Sequence, residues 1–222
     1  MLVLAADTSG RNGSLALVEF HPGSARTVDL VALEGGTFSA QLIPEIAALL
    51  KKHHLAKSAI SGFAVVSGPG SFTGLRVGLA AIKGLAEILR QPIAVVSRFE
   101  ATASMADAQG AILVVLDAAR GQVYVAAYRM EHGQALALNQ QLLSLDELRA
   151  RVEGSCLVTC DESLAQEFPR AILVAPPRAD VIARVGYEKI ERGETVSPES
   201  LDAAYLRASP AEINAPARGA QP

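Results

Sequence analysis

Residues 2–20 read LVLAADTSGRNGSLALVEF, a stretch that predicts two strands joined by a polar turn. The first apolar run ends at Asp7, and turn-forming residues separate it from the second run. A similar arrangement returns further on, where ILVVLD ends at Asp117 and VYVAAY follows a tight turn. The matching position of the two aspartates favours duplication of one unit over an unrelated α/β second half.

The pattern of apolar residues extends both units. The first continues with a strand within 27–33, a helix over 38–53, a strand over 60–66, a helix over 75–89 and a strand from residue 92. The second follows as strand 134–143, helix SLDELRARV, strand CLVTC, a short helix, strand AILVA and a helix from Ala179 to Arg192 that is expected to pack on this second half. The sequence therefore predicts an α/β fold of two βββαβα-type lobes with the second reduced: residues 1–103, residues 104–207, and a mobile tail over 208–222.

Composition narrows the class of protein. The 222 residues are 50% hydrophobic and 19% charged, which is enough apolar material for a core. The formal charge is -3 and no stripe of Lys or Arg is present, so direct affinity for nucleic acid is not expected. The opening apolar run is too short for a signal or membrane segment, which predicts a cytoplasmic chain outside the membrane. Cys156 and Cys160 are expected to be reduced thiols without a metal.

The turn after Asp7 has the chemistry of a phosphate loop. Thr8 and Ser9 supply hydroxyls, and backbone N–H groups in such a turn can face an anion. An ordinary polar hairpin turn explains the same residues. The turn after Asp117 reads Ala-Ala-Arg-Gly and lacks hydroxyls, so the pair predicts a nucleotide site that is weak or lost.

The segment GPGSFTGLRVG at 68–78 is the strongest local signal, because it lies between a predicted buried strand and a helix. A helix N-terminus in this position favours an anion. The glycine spacing nevertheless fits neither the P-loop nor the dinucleotide fingerprint. The candidate residues of this glycine motif are Gly68, Gly70, Ser71, Thr73, Gly74 and Arg76.

The helices over 38–53 and 75–89 are apolar on more than one face, which is typical of a helix sandwiched in a core or presented to a partner. We expect that both helices are presented to a partner. The candidate interface residues are Phe38, Leu42, Ile43, Ile46, Leu75, Gly78, Leu79 and Ile82. No G-x-S-x-G or H-E-x-x-H pattern indicates hydrolytic chemistry.

Several motifs resemble the TsaB (YeaZ) family of the actin-like ATPase (ASKHA) superfamily. They are GPGSFTGLRVG, KGLA at 83–86, PIAVVSRFEATA at 92–103, the opening LAADTS and YLRAS from residue 205. The resemblance implies an actin-like fold and a non-catalytic scaffold for the catalytic paralogue TsaD. With the ATPase TsaE, that complex transfers a threonylcarbamoyl group to the adenosine beside the anticodon of tRNAs that read codons starting with A. It also implies that this chain contacts tRNA only indirectly. The helices over 38–53 and 75–89 are also expected to be able to pair two copies of the chain.

The catalytic family carries His-x-Glu-Gly-His where this chain has Arg98 to Thr102, so the metal site of that family cannot form here. No cofactor of its own is expected, apart from ATP or ADP held weakly or shared at an interface. Phe38 stands where TsaB-like chains commonly have a histidine. Two enzyme hypotheses remain: a phosphotransferase that uses Asp7 and Asp117, and a nicotinamide-binding reductase that uses residues 68–78.

Overall fold

Two five-stranded mixed sheets form the frame of the protein. A computed structural model describes residues 1–131, 134–152 and 154–206, and the expected tail over 208–222 lies outside them. The first half comprises β1 (Leu2–Asp7), β2 (Gly13–His21), β3 (Ser24–Leu33), α1 (Phe38–Lys52), β4 (Gly62–Gly68), α2 (Phe72–Leu89), β5 (Ile93–Ser97) and α3 (Arg98–Ser104). The second half comprises β6 (Gly110–Asp117), β7 (Gln122–Glu131), β8 (Gln134–Ser144), α4 (Leu145–Arg151), β9 (Cys156–Thr159), α5 (Glu162–Glu167), β10 (Ile172–Leu173) and α6 (Ala179–Glu191).

The two halves repeat one topology. The strand orders are β3-β2-β1-β4-β5 and β10-β9-β6-β7-β8, which become identical when β6 is matched with β1 and the others follow in sequence. In both sheets the first hairpin is antiparallel and the fourth strand joins the first in parallel. Asp7 and Asp117 each end the first strand of their half. This agreement supports the predicted duplication.

The first sheet is covered on both faces. Helices α1 and α2 pack against each other, and α2 lies along β4, whereas α6 contacts β1, β2, β4 and β5. All seven residues of β4 are buried, as expected for a strand with helices on both sides. A cluster of buried apolar side chains from this sheet and its three helices forms the larger core, and two smaller clusters fill the second half.

The prediction that the last helix packs on the second half was wrong. Helix α6 buries Ala179, Ile182, Ala183 and Val185 in the core of the first sheet. Small residues allow the close contact, since a Cβ added at Gly186 would lie 2.4 Å from the Cβ of Ala64. Helical periodicity marks the apolar face of a helix but does not say which sheet it covers. The division of the chain at residue 103 stays a prediction.

Helix α3 was not expected from the sequence. Its seven residues begin after Ser97, whose hydroxyl accepts the Phe99 N–H at 3.2 Å. In turn, the Glu100 carboxylate accepts the Ser97 N–H at 3.5 Å. This reciprocal capping stabilises a helix too short for a clear apolar period. Phe99 and Ala103 reach the core of the second half, so α3 links the two halves.

Candidate functional site

The glycine motif packs directly on the turn after β1. The Thr8 hydroxyl donates to the Gly74 carbonyl at 2.7 Å, and the Ser71 N–H donates to the Ser9 carbonyl at 2.7 Å. A Cβ at Gly74 would lie 2.1 Å from the Thr8 carbonyl oxygen, and one at Gly78 would lie 2.3 Å from the Thr8 hydroxyl. These glycines therefore let α2 approach the first turn.

The remaining residues of the motif have local roles. Gly70 lies against Ser9, with 2.4 Å between an added Cβ and the Ser9 carbonyl oxygen, and Gly68 lies against the Ala204 carbonyl. The Ser71 hydroxyl caps α2 by accepting the Gly74 N–H at 3.2 Å. Thr73 lies exposed in the first turn of the helix.

A cleft of about 610 Å³ separates the two halves at the ends of β1 and β6. One wall carries Ser9, Ser71 and Thr73, and the opposite wall carries Asp117 and Tyr124, with Arg98 between them. The structure thus brings the first turn and Asp117 to one cleft, as the duplication predicted, and the glycine motif lies at the same cleft. The volume falls within the range of small-molecule sites.

Asp7 lies behind this cleft in a nearly dry environment, with 6% of its surface exposed. One carboxylate oxygen accepts the Ser9 N–H at 2.8 Å. Burial raises the pKa of Asp7 above its usual value of 3.8, and hydrogen bonding from Ser9 and the charge of Arg98 offset part of that rise. Asp7 therefore holds the first turn in shape at an electrostatic cost.

The turn after Asp117 differs from the first turn. Asp117 is exposed, its N–H donates to Asp161 at 2.8 Å, and its carboxylate accepts the Ala119 N–H at 2.8 Å. Ala119 and Arg120 both have φ of 57°, a left-handed conformation that costs energy for residues other than glycine. This turn offers no hydroxyl to the cleft, so the donor set fits only one half of a nucleotide clamp.

Arg98 is a candidate functional residue. The sequence analysis considered it only as the residue that stands in place of a histidine of the catalytic family. It lines the cleft, acts electrostatically on Asp7, and its guanidinium approaches the Cys160 sulfur at 3.8 Å. Within the three described ranges no group of three or more His, Cys, Asp or Glu side chains is placed to hold a metal ion. Cys160 is buried as a free thiol, and burial raises its pKa.

Arg76, the last residue of the motif, is held by the C-terminal segment. Its Nε donates to the Tyr205 hydroxyl at 3.1 Å, and its guanidinium lies 3.8 Å from the centre of the Phe72 ring. Tyr205 also stacks on Phe72 with 4.9 Å between ring centres. One sequence signal points to this segment, the YLRAS stretch that begins at Tyr205.

The residues predicted for a partner interface are mostly internal. Ile43 is 50% exposed, whereas the others are buried in the core of the first half. The buried ones are Phe38, Leu42, Ile46, Leu75, Gly78, Leu79 and Ile82. The exposed apolar residues of the two helices include Ile43, Ala47, Ala80, Gly84 and Ile88. An interface on these helices stays a prediction, and these five residues are available to form it.

Replacing Asp7 with asparagine is expected to stabilise the protein at neutral pH. Asparagine keeps an oxygen for the Ser9 N–H but removes a charge that burial disfavours. Because the folded-state pKa is raised, the charge penalty applies above that pKa and disappears as the pH falls toward 3.8. Urea unfolding of both proteins from about pH 4 to about pH 8, which includes the usual range of maximal stability, should show a gain that grows with pH. A gain independent of pH would contradict this account of Asp7.

The chain is similar to known proteins in family, sequence and structure. Residues 35–196 match the family model described as "TsaD: tRNA N6-adenosine threonylcarbamoyltransferase". The chain is 30% identical to tRNA threonylcarbamoyladenosine biosynthesis protein TsaB of Bacillus subtilis over 96% of each chain. It is 26% identical to the protein of the same name from Escherichia coli, over 93% of this chain and 95% of that one.

A solved structure is similar over nearly the whole chain. It is a protein from Pseudomonas aeruginosa described as having similarity to peptidase YEAZ, with a TM-score of 0.77 and 25% identity, covering 93% of this chain and 99% of that one. This match and the two repeated sheets confirm the predicted actin-like fold. The identity to the Bacillus subtilis protein extends over almost the full length of both chains. The chain belongs to the TsaB (YeaZ) family.

Proposed function

We propose that this chain takes part in tRNA threonylcarbamoyladenosine biosynthesis as a non-catalytic subunit that binds and supports the catalytic TsaD subunit. The observation that carries the proposal is the full-length similarity to a relative whose name assigns it to this biosynthesis. The match of residues 35–196 to the TsaD family model supports a paralogous partner of related fold. In this proposal TsaE joins the same complex and tRNA is contacted through the other subunits.

The asymmetric cleft supports a role without catalysis. In the turn after Asp7 the Thr8 hydroxyl already donates a hydrogen bond to the Gly74 carbonyl. The turn after β6 presents a single exposed carboxylate, that of Asp117. Arg98 occupies the place where the catalytic relatives would have a metal-binding histidine. ATP or ADP would therefore be held weakly by this chain, or shared with a second subunit at an interface.

The outer face of α1 and α2 is the proposed docking surface for TsaD. Ile43 and Ile88 are 50% and 70% exposed, which is unusual for large apolar side chains. Gly84 lies exposed inside α2, and an added Cβ would meet nothing within 4 Å in the described chain. A mid-helix glycine costs about 1 kcal/mol relative to alanine. Close approach of a partner backbone would explain a glycine here that no internal contact requires.

Gly84→Glu should weaken binding to TsaD from the same organism at least about tenfold, equivalent to 1.4 kcal/mol. The glutamate side chain has open space in the isolated chain but would place a charge inside the proposed interface. Calorimetric titration of purified TsaD gives the affinity, and a thermal melt confirms that the variant is folded. Gly78 is unsuitable for this test because it is packed against Thr8.

Ala150→Glu on α4 is the matched control, since it adds the same charge at an exposed helical position in the other half. We expect its affinity for TsaD to equal that of the wild type. Undiminished binding by Gly84→Glu would show that the surface is wrong, and failure of the wild type to bind TsaD would refute the partner. ATP turnover by the isolated chain would instead favour an independent phosphotransferase.

A further inference from the structure

The outer face of α1 and α2 is uncharged over most of its length, with one exception at Arg76. The exposed residues before the last turn of each helix are Ser39, Ala40, Ile43, Pro44, Ala47 and Ala48 on α1, and Thr73, Arg76, Ala80 and Gly84 on α2. Glu45 and Lys83 are half-buried. Both helices lie within the described ranges, and on them Arg76 is the one exposed charge that precedes the last turns. Ala80 lies one helical turn from Arg76 on the same face of α2.

Two aromatic side chains hold Arg76 in place. Its guanidinium carbon lies 3.8 Å from the centre of the Phe72 ring and 6.0 Å from the centre of the Tyr205 ring. Its Nε donates to the Tyr205 hydroxyl at 3.1 Å. Stacking of this kind orients the planar guanidinium, so less side-chain entropy is lost when the other N–H groups bind a ligand. Arg76 is therefore exposed and yet preorganised.

The charge of Arg76 is not balanced by a neighbouring carboxylate. Within the part of the chain that the structure describes, the partners of its guanidinium are an aromatic ring and a phenol hydroxyl, and no Asp or Glu forms an ion pair with it. Other arginines of the same chain do pair with carboxylates, among them Arg26, Arg149, Arg178 and Arg192. The N–H groups on the two Nη atoms of Arg76 remain available to an acceptor on another molecule.

We propose that Arg76 is the polar anchor of the docking surface and pairs with a carboxylate side chain of the TsaD subunit. The inference rests on the proposed function, because it takes the outer face of α1 and α2 as the surface that TsaD covers. An arginine that is covered without a counter-charge opposes binding. The partner must therefore bring an acidic group to this position. A carboxylate suits the planar guanidinium because it can accept two parallel N–H bonds.

The composition of the surface selects a protein carboxylate over a nucleic-acid phosphate. Surfaces that bind nucleic acid carry many positive charges, whereas this one carries Arg76 among alanine, isoleucine and glycine residues. Ile43 and Ile88 are 50% and 70% exposed and offer apolar contacts on the same face. An arginine stacked on aromatic rings beside apolar side chains is typical of the energetically important part of a protein–protein interface.

Arg76→Gln should weaken the binding of TsaD from the same organism at least about tenfold, because the carboxylate would be covered without its counter-charge. Calorimetric titration of the full-length chain gives the affinity, and a thermal melt confirms that the variant is folded. Arg184→Gln is the matched control, since it removes the same charge from an exposed position of α6 on the other face of the first sheet. We expect its affinity for TsaD to equal that of the wild type.

Tyr205→Phe separates pairing with TsaD from a purely structural role of Arg76. It removes the hydroxyl that accepts the Nε hydrogen bond but keeps the ring that stacks on Phe72, so it should cost less affinity than Arg76→Gln. Equal losses would mean that Arg76 only holds the C-terminal segment. Unchanged binding by Arg76→Gln, while Gly84→Glu still weakens it, would overturn the ion pair and leave the proposed function standing. A wild type that does not bind TsaD would refute both.

Carbodiimide cross-linking identifies the carboxylate directly. The reagent joins an amine to a carboxylate in contact with it, and arginine does not react. Arg76→Lys keeps the charge and supplies an amine, so this variant should form an amide bond to an Asp or Glu side chain of TsaD that peptide mass spectrometry can locate. Ala150→Lys, which adds an amine at an exposed position of α4, is the control and should not. A cross-link from Ala150→Lys and none from Arg76→Lys would overturn the proposal.

Discussion

Gly74→Ala is expected to destabilise the protein by about 3 kcal/mol or more, near the upper end of what overpacking one methyl group costs. The added Cβ would lie 2.1 Å from the Thr8 carbonyl oxygen, and this neighbour is backbone that cannot rotate away. Relief requires α2 to move off the first turn. That movement would break the bond from the Thr8 hydroxyl to the Gly74 carbonyl and expose part of the core beneath Leu75.

Gly84→Ala on the same helix is the matched control, because the same methyl group enters open space there. It should stabilise the protein by up to about 1 kcal/mol, since alanine is the better helix former. Urea unfolding of wild type and both variants measures the two changes. Similar effects of the two substitutions would mean that helix propensity, and not contact with the first turn, decides the role of Gly74.

The strand and helix pattern of the first half could be predicted from sequence because its signals are local. Asp7 ends an apolar run, a polar turn follows, and the helix over 75–89 begins close to the observed start at Phe72. The approach of the first turn and Asp117 to one cleft followed from the repeat. A repeated topology places equivalent positions symmetrically about the cleft. The two turns could therefore be expected to face each other although they are far apart in the sequence.

The structural role of individual residues, and which of them are buried, could not be predicted in this way. The glycines at 70 and 74 suggested an anion site, and the structure shows that they allow contact between α2 and the turn at Thr8 and Ser9. Both uses need the absence of a side chain, so composition cannot separate them. Likewise, Phe38 and Ile43 share one apolar helix, but their burial differs because only the position of the sheet decides which face is inside.

Contacts between residues far apart in the chain could not be predicted from the sequence either. Helix α6 covers the first sheet, and Tyr205 contacts Arg76 and Phe72, although 129 residues separate Tyr205 from Arg76 along the chain. No local pattern marks such a contact. Helix α6 therefore stabilises the first sheet on the face away from α2, whereas Tyr205 contacts α2 itself. Changes in α6 are expected to act on the fold before they act on binding.

The contact between Lys189 and Glu100 should show this coupling most strongly. Lys189 on α6 lies 2.8 and 2.9 Å from the two carboxylate oxygens of Glu100 on α3, and the side chains are 18% and 15% exposed. Glu100→Gln keeps an oxygen for the cap of α3 but leaves the ammonium of Lys189 without its counter-charge. We expect a loss of about 2–4 kcal/mol of unfolding free energy, because a single charge in a partly buried pair is poorly compensated.

A double-mutant cycle separates this effect from simple loss of packing. Lys189→Met alone leaves the Glu100 carboxylate unpaired and should cost a similar amount, whereas Glu100→Gln combined with Lys189→Met removes both charges and should recover at least half of the loss. Lys189 belongs to the helix on the first sheet, and Glu100 follows Phe99, which is buried in the core of the second half. The interaction energy therefore measures how strongly the ion pair couples α6 to α3. Additive costs of the two single substitutions would mean that the pair does not couple these two helices.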